Sequence, residues 1–485
     1  MADDTPGSRR SLASLTQKTF DVLIIGGGIV GAGVARDAAS RGLCTLLVER
    51  SDFASGASSR SSRLLHGGLR YLAQGRLGLV REASVEKMTL SRIAPHLCQP
   101  LPFLFPAWRG KGMPLWQLSI GVRLYDLLCG GRNLAASSTL PPGELLRLAP
   151  GLQIEGLTGG TRHFDALTND ARLVIDTLRS AESEGASVRN YTTFVSCDSI
   201  AEGWTCKLRD EVTGEQAFVQ SRAIVNAAGA WASQLARSGI QLRLTKGVHL
   251  VLDRQKLPTK EAVILTEGKR ILFVIPWGER VILGTTDTTY TGDLADVRPE
   301  PADVQYILGV VNGAFPEARL RGADVISTWA GVRPLVSTGG NEGAPSDISR
   351  GHVIRMAEPG WLDVAGGKLT TYRHMAEQAI DQIGNFLGRR LPKSPTAERP
   401  LSCGAFSGVL PPAVDRAVVR ETCRTEWAVH LDDVLLRRTS WHYYHADRSE
   451  IAGKAAQWMA ELLDWGPDRQ AAELDRYHAM FSPPG

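Results

Sequence analysis

Short apolar runs separated by glycine-rich turns open the patterned part of the chain. FDVLII (20–25) has the length and apolar character of a buried strand, and a helical pattern over 34–40 follows a run of glycines. A second apolar run, CTLLVE (44–49), comes after Arg41-Gly42. The succession of strand, glycine turn, helix and strand predicts a nucleotide-binding βαβ unit.

The glycines of this turn have the spacing that a dinucleotide requires. In G-x-G-x-x-G, Gly26 permits the tight turn, Gly28 lets the backbone approach a pyrophosphate, and Gly31 allows close helix–strand packing. Glu49 ends the second strand, where its carboxylate can accept hydrogen bonds from ribose hydroxyls. We therefore predict dinucleotide binding; the alternative is a glycine-rich turn of another α/β protein.

Two later segments favour FAD over NAD. AIVNAAGAW (223–231) is a strand that ends in small residues, where backbone can pass close to a ligand. WLDVAGGKLTTYR (361–373) is a strand, a Gly-Gly turn and a helix start, whose amides could face the N1/O2 edge of an isoalloxazine ring. After Glu49, the loop RSDFASGASSRSSR (50–63) replaces another regular βα unit. FAD is the predicted cofactor.

The middle and the end of the chain have different patterns. Helical spacing over 170–181 suits a further helix of the cofactor fold, and from about residue 411 the pattern is helical again. Four short apolar runs predict an antiparallel sheet, with a hairpin turn at 277–280. These runs are HLVLD (249–253), AVILT (262–266), ILFVIP (271–276) and VILGTTD (281–287).

Composition and charge narrow the class of protein. A net charge of +4 over 485 residues gives little support for nucleic-acid binding. The seven cysteines form no CxxC pair, so we expect no metal site and a reducing, cytoplasmic location. The polar residues 1–18 lack the apolar region of a secretory signal and are predicted to be a disordered tail.

One aromatic segment has two interpretations. MPLWQLSIGVRLYDLL (113–128), flanked by Arg109, Lys111 and Arg132, could lie on the inner face of the cytoplasmic membrane as a peripheral helix. It could equally be a helix packed on the substrate domain. No run of 18 apolar residues is present in the sequence, so no membrane-spanning helix is predicted.

Eight motifs, in order from about residue 20 to 385, together resemble the FAD-dependent glycerol-3-phosphate dehydrogenases. They are GGGIVGAG, SSRLLHGGLRYL, DARL (170–173), NAAGAW, LTKGVHLV (244–251), FVIPW with ILGTTD, GVRPL (331–335) and GGKLTTYR (366–373). The resemblance resumes at LDDVLLRRTSWHYYHAD (431–447). It implies a glutathione-reductase-type, Rossmann-like α/β FAD-binding fold with an antiparallel β substrate domain and a short helical C-terminal cap.

The pattern and the resemblance together predict four parts of the chain. They are the tail (1–18), a discontinuous FAD-binding domain (19–93, 165–245 and 330–385), a substrate-binding domain (94–164 and 246–329) and the helical cap (395–485). The cap is shorter than the cap that the family pattern implies. The resemblance therefore does not decide whether the cap forms a homodimer contact or docks a partner.

The resemblance also implies site residues. For the substrate these are Arg70, Tyr71, His249, Arg333 and Lys368, of which the last three are the expected catalytic residues. His249 would act as the base, Arg333 would polarise the alkoxide, and Lys368 would pair with flavin or substrate oxygens. Arg70 and Tyr71 would bind a phosphate. Each also has a structural alternative, such as a hydrogen-bonded sheet histidine or a salt-bridged arginine.

The predicted cofactor-binding residues follow the same motifs. They are Gly26, Gly28, Gly31, Glu49, Ser62, His66, Gly67, Gly68, Ala228, Gly229, Gly367, Lys368, Leu369 and Thr370. We expect His66 to orient its loop or lie near the flavin ring rather than to act as a base.

The implied reaction is oxidation of sn-glycerol 3-phosphate to dihydroxyacetone phosphate, with hydride transfer to flavin N5 and a quinone as electron acceptor. Three alternatives stay open. They are an oxidase that uses O2, an amine or amino-acid oxidase of the same fold, and a flavin-binding scaffold without catalysis.

Overall fold

The structure is a computed structural model. It describes residues 11–73, 75–130, 133–268, 270–336 and 351–481, and the side chains of Arg70 and Ala73 lie outside this description.

The described residues form eighteen strands, which belong to two sheets. In chain order they are β1 (Thr19–Ile25), β2 (Thr45–Val48), β3 (Leu64–Leu65), β4 (Gln99–Trp108), β5 (Ser138–Leu140), β6 (Leu157–Leu167), β7 (Ser187–Arg189), β8 (Thr192–Ile200), β9 (Gly203–Asp210), β10 (Gln216–Asn226), β11 (Leu242–Asp253), β12 (Ala262–Glu267), β13 (Arg270–Trp277), β14 (Arg280–Gly284), β15 (Thr288–Thr289), β16 (Val325–Val336), β17 (His352–Glu358) and β18 (Trp361–Gly366).

Twelve α-helices lie within the same described ranges. They are α1 (Ile29–Ser40), α2 (Arg70–Ala73), α3 (Leu77–Ile93), α4 (Leu115–Leu128), α5 (Pro142–Leu148), α6 (Asp170–Ser183), α7 (Pro301–Ala314), α8 (Tyr372–Phe386), α9 (Arg416–Thr425), α10 (Trp441–Tyr444), α11 (Arg448–Leu463) and α12 (Pro467–Ala479).

The first sheet is built around the predicted nucleotide-binding unit. Its strands have the order β17-β18-β10-β1-β2-β7, and β8 and β9 extend it beside β10. Strands β18, β10, β1, β2 and β7 run parallel, so their carboxyl ends meet at one edge, where ligands of open α/β sheets bind. Val22 and Ile24 pack on one face with helices α1, α6 and α8, and Leu23 packs on the other face.

The second sheet is almost entirely antiparallel, as the apolar runs predict. Its order is β15-β11-β14-β13-β12-β4-β6-β3, with β16 beside β11 and β5 beside β6, and β12 and β4 are parallel. Because side chains alternate between faces, Val248 and Leu250 pack under α7, whereas the intervening His249 points to the opposite face. That opposite face looks toward the first sheet.

The predicted domain boundaries at 165, 245 and 330 fall inside strands β6, β11 and β16, which all pair within the second sheet. GVRPL therefore belongs to the second sheet, whereas the boundary at 330 assigns it to the FAD-binding domain. The division into domains otherwise stays a prediction.

Two other expectations need correction. Leu12–Gln17 forms a 3-10 helix, because Leu12 and Leu15 are buried against the first sheet, so the prediction of a disordered tail is wrong for this segment. Residues 1–10 lie outside the described ranges. The helical pattern over 412–431 gives only α9, because Trp427 has a left-handed φ of 56° and an α-helix cannot continue through it.

The helical C-terminal region is present and has an apolar core of its own. Helices α9, α11 and α12 pack around Val419, Leu431, Trp441 and Met459. This region also contacts helix α6, which packs on the first sheet, through the segment between α9 and α10, where Asp433–Arg438 forms a π-helical turn.

Candidate functional site

A cavity of about 1680 Å³ lies between the carboxyl edge of the first sheet and the open face of the second. Pockets for one drug-sized ligand measure about 300–1,000 Å³. The volume is therefore large enough for a dinucleotide together with a small substrate. Gly26 and Glu49 line it from the first sheet, and Arg333 lines it from the second.

The glycine turn has the close backbone packing that the dinucleotide fingerprint requires, because side chains at Gly26 and Gly31 would clash with neighbouring carbonyl oxygens. Gly26 has a φ of 111°, and a Cβ there would lie 2.5 Å from the carbonyl oxygen of Ala227. A Cβ on Gly31 would lie 1.9 Å from the carbonyl oxygen of Gly26, which is the close packing that its place in the fingerprint predicts. Gly28 lines the cavity just before helix α1 begins at Ile29. The helix N-terminus can thus face an anion.

Glu49 is held in place by backbone donors at the end of β2. Its Oε2 accepts a hydrogen bond from Gly27 N at 2.7 Å, and its Oε1 accepts one from Ser51 N at 2.9 Å. Burial raises the pKa of Glu49, and these two donors oppose that rise. The carboxylate lines the cavity at the place predicted for a ribose.

The HGGLRYL loop and the GGKLTT turn are hydrogen-bonded to each other, and both line the cavity. His66 N donates to Thr370 Oγ1 at 3.1 Å, and the same hydroxyl donates to the carbonyl oxygen of His66 at 3.3 Å. The Lys368 Nζ lies 4.0 Å from the centre of the Tyr71 ring, a cation–π contact. The side chain of Arg70 lies outside the described part, so its predicted role stays a prediction.

A buried polar cluster beneath this loop was not foreseen. Gly67 N donates to Tyr125 Oη at 2.8 Å, and that hydroxyl donates to Asp165 Oδ1 at 2.5 Å. Lys87 Nζ donates to the same Asp165 oxygen at 2.8 Å. Burial opposes ionisation of Asp165, but the Lys87 and His163 charges outweigh it and lower the pKa. Lys87, Tyr125 and Asp165 are far apart in sequence and belong to none of the eight motifs, so only the fold brings them together beneath the loop.

Glycines make room for His249 and Arg333 in the second sheet. Gly284 lies opposite His249, and a Cβ there would lie 2.3 Å from the His249 ring. A Cβ on Gly247 would lie 2.4 Å from Arg333 Nη2, because this guanidinium lies across the strand at that point. Each motif glycine therefore leaves space for a predicted catalytic side chain.

His249 lies behind the cavity wall rather than on it. Its ring stacks on Trp329 with centroids 5.2 Å apart, and its Nε2 is 2.8 Å from the hydroxyl of Ser62, which does line the cavity. Burial lowers the pKa of His249 well below the usual range, and the charges of Arg333 and Arg63 lower it further. The imidazole is thus neutral near pH 7, the form in which it can accept a proton.

Arg333 lines the cavity within a set of hydrogen-bond acceptors. Its Nη2 donates to Thr285 Oγ1 at 3.0 Å, and its Nη1 donates to Asp287 Oδ1 at 3.3 Å. Arg60, which was not singled out in the sequence, lines the same cavity beside Gly331. Burial lowers the pKa of Arg60, and its guanidinium remains cationic in the physiological range. Arg60, Arg333 and Lys368 are among the cationic side chains that line the cavity and can attract an anionic substrate.

Most of the predicted site residues line this one cavity. Those that do are Gly26, Gly28, Glu49, Ser62, His66, Gly68, Tyr71, Ala228, Gly229, Arg333, Gly367, Lys368, Leu369 and Thr370. The described residues Gly31, Gly67 and His249 lie behind its surface.

The mouth of the cavity is next to the apolar helix α4. Trp116, Ile120 and Leu127 are 63%, 59% and 70% exposed, and Met113 and Ile120 also line the cavity. Within the described ranges, every helix is too short or too polar to cross a membrane. These side chains give helix α4 an exposed apolar face beside the cavity.

Comparison with known proteins places this geometry in a family. Residues 21–373 match the family model for FAD dependent oxidoreductase. Glycerol-3-phosphate dehydrogenase 2 of Mycobacterium tuberculosis is 36% identical, over 96% of this chain and 88% of that protein. The chain belongs to the FAD-dependent glycerol-3-phosphate dehydrogenase family. FAD is accordingly its cofactor, and the glycine cradle at Gly26 fits it.

A solved structure, a second relative and a more distant structure support the fold and show its range. The FAD complex of the glycerol-3-phosphate dehydrogenase from Bacillus halodurans superposes with a TM-score of 0.77 at 27% identity, covering 97% of this chain and 96% of that one. The fold predicted from the sequence is therefore confirmed. Alpha-glycerophosphate oxidase of Streptococcus pyogenes is 37% identical, over 80% of this chain and 74% of that protein. Glycine oxidase from Geobacillus kaustophilus, at 20% identity and a TM-score of 0.57, shares the fold alone.

Proposed function

We propose that this chain oxidises sn-glycerol 3-phosphate to dihydroxyacetone phosphate and passes the electrons to a quinone. The observation that carries the proposal is the joint presence of Arg60, Arg333 and Lys368 in the cavity that the dinucleotide turn also lines. A phosphorylated polyol is an anion that needs several cationic donors. The names of the most similar relatives support this choice of substrate.

The residues that we expect to act in alcohol oxidation lie on two walls of the cavity, one on the cofactor side and one on the second sheet. Lys368 and Tyr71 lie together on the cofactor side, where we expect them, with Arg70, to bind the phosphate. Arg333 lies on the second sheet, where its charge would stabilise the alkoxide that forms as the hydroxyl loses its proton. When bound, FAD supplies the acceptor for the hydride.

The proton of the substrate hydroxyl has a path into the second sheet. Ser62 lines the cavity and its Oγ is 2.8 Å from His249 Nε2, so it can accept the proton and donate its own to the imidazole. His249 would then act as the base without touching the substrate. Because the pKa of His249 is lowered, the imidazole stays unprotonated near pH 7, the form that can accept this proton.

The exposed apolar side chains of helix α4 support the proposal that the electron acceptor is lipophilic. Its exposed Trp116 and Ile120 would rest against lipid at the inner face of the cytoplasmic membrane, and the cavity opens next to them. A membrane quinone could then approach the cavity without crossing water. Because one relative is named an oxidase, O2 is the second candidate acceptor.

Steady-state assays test both parts of the proposal. With sn-glycerol 3-phosphate as donor, reduction of a soluble quinone analogue should be much faster than formation of hydrogen peroxide. Peroxide formation at the same rate would favour the oxidase. Turnover of glycine or sarcosine, without turnover of glycerol 3-phosphate, would contradict the proposed substrate.

A further inference from the structure

The C-terminal motif LDDVLLRRTSWHYYHAD (431–447) has no place in the reaction, yet its π-helical turn reaches the cofactor domain. Arg438 contacts both carboxylate oxygens of Asp52, with Nη1 2.7 Å from Oδ2 and Nη2 2.8 Å from Oδ1. Arg437 Nε donates to the same Asp52 oxygen, Oδ2. Asp52 is three residues beyond Glu49, in the loop that follows β2.

The arginines that contact Asp52 are themselves held in a buried network. Arg437 Nη2 donates to Asp432 at 2.7 Å and to Asp433 at 2.6 Å, and Tyr191 Oη donates to Asp433 at 2.6 Å. All of these side chains are buried. Burial raises the pKa of Asp52, but the charges of Arg438 and Arg437 outweigh it, so this pKa is lowered. Because buried ion pairs are costly to desolvate, their stability alone does not account for such a network.

The loop that this network contacts forms the back of the cofactor turn. Ser51 N donates to Glu49 Oε1 at 2.9 Å, which orients the carboxylate predicted to bind the ribose. A Cβ on Gly27 would lie 2.5 Å from the Phe53 ring, so Phe53 packs directly behind the glycines. Trp427, from the C-terminal region, packs edge-on against Phe53 with ring centroids 5.3 Å apart. Segment 49–53 therefore has the cofactor turn on one side and the C-terminal region on the other.

We propose that Asp52, Arg437 and Arg438 are positioning residues of the FAD site, through which the C-terminal motif fixes the Glu49 carboxylate and Phe53 against the adenosine half of the cofactor. Their contribution is to FAD affinity and to the preference for FAD over FMN, which lacks that half. The hydrogen bonds of Arg437 and Arg438 join the C-terminal segment to Asp52, on the cofactor side of the molecule.

Asp52→Asn tests the proposal, because it removes the charge while keeping the side-chain volume. We expect the Kd for FAD, from fluorescence titration of the apoprotein without substrate, to rise about 10–100-fold, as for other residues that orient a ligand's direct contacts. The Kd for FMN should change by less than about threefold, since FMN lacks the adenosine ribose that Glu49 is predicted to bind. Equal losses for FAD and FMN, or unchanged FAD affinity, would overturn the proposal.

A matched control separates positioning from stability. Glu261 is also a buried carboxylate that accepts hydrogen bonds from two nitrogens of an arginine, Arg162, but it lies directly before β12 of the second sheet. Glu261→Gln should lower Tm and leave the Kd for FAD unchanged. If it weakened FAD as much as Asp52→Asn does, the effect would be general destabilisation and the proposal would be wrong.

Arg438→Lys is the deciding variant if Asp52→Asn does not fold. Lysine keeps the charge but cannot make two parallel hydrogen bonds to one carboxylate. We expect a Kd for FAD between those of the wild type and Asp52→Asn, and a smaller rise of Tm on adding FAD. Wild-type FAD affinity in this variant would overturn the proposal. Because no substrate is present, these results do not depend on whether glycerol 3-phosphate is oxidised.

Discussion

Gly247→Ala tests whether the position of Arg333 matters for the reaction. The added Cβ would lie 2.4 Å from Arg333 Nη2 and 2.7 Å from Thr285 Oγ1, whereas ordinary contacts begin at 3.4 Å. The guanidinium would therefore have to move by about 1 Å and lose its 3.0 Å hydrogen bond to Thr285. It can do so easily, because it is the far end of a flexible side chain.

We accordingly expect the fold to tolerate the change and the active site to lose rate. A displacement of about 1 Å in a catalytic group can cost about 100-fold in rate. The expected result is a fall of about 100-fold in kcat/KM for sn-glycerol 3-phosphate, with wild-type FAD content and Tm within a few degrees.

The control is Gly309→Ala in α7, where an added Cβ meets nothing within 4 Å. This variant should keep wild-type kcat/KM. If Gly247→Ala also kept kcat/KM within about twofold of wild type, Arg333 would not act from this position. The account of the second wall would then be wrong.

Four further predictions follow from the same geometry. Gly31→Ala should abolish FAD binding, measured by flavin absorbance after purification, because its Cβ would lie 1.9 Å from a backbone oxygen that cannot move aside; normal FAD content would contradict the cradle. His249→Ala should slow flavin reduction in stopped-flow experiments with little change in substrate binding, whereas Arg70→Ala should chiefly raise KM; the reverse pattern would refute both roles. Burial and the Arg333 charge lower the pKa of His249, so the acid limb of the pH profile of kcat/KM should lie below pH 6.5. Arg333→Gln should move this limb to higher pH. A limb that does not move would exclude His249 as the titrating group. The lowered pKa of His249 also makes the stability of the folded protein depend on pH. The stability that neutral His249 contributes is fully present above pH 6.5. It is progressively lost as pH falls below 6.5, because the unfolded chain binds the proton first.

The cofactor half of the fold could be predicted because its constraints are local. A strand, three glycines at fixed spacing and Glu49 are close in sequence, and each has one steric or hydrogen-bonding reason to be there. The four apolar runs of the second sheet were equally clear, since short continuous apolar runs between turn residues are typical of buried strands. The start of the chain was mispredicted because Leu12 and Leu15 find their apolar partners on distant strands.

The site was harder to predict where contacts join distant segments. The cluster of Lys87, Tyr125 and Asp165 beneath the HGGLRYL loop has no sequence signal, because its members come from two helices and a strand. His249 was identified from its motif, but its place behind Ser62 depends on the pairing of β11 with β14 and β16. The motif indicates the residue type, and only the fold shows that His249 reaches the cavity through the hydroxyl of Ser62.

Anaerobic titration of the FAD-loaded protein with sn-glycerol 3-phosphate tests the central claim most directly. The absorbance band of oxidised flavin, at about 450 nm, should bleach as glycerol 3-phosphate is added. Glycine and sarcosine should leave this band unchanged. A flavin that stays oxidised at saturating glycerol 3-phosphate, or one that only the amines bleach, would contradict the account.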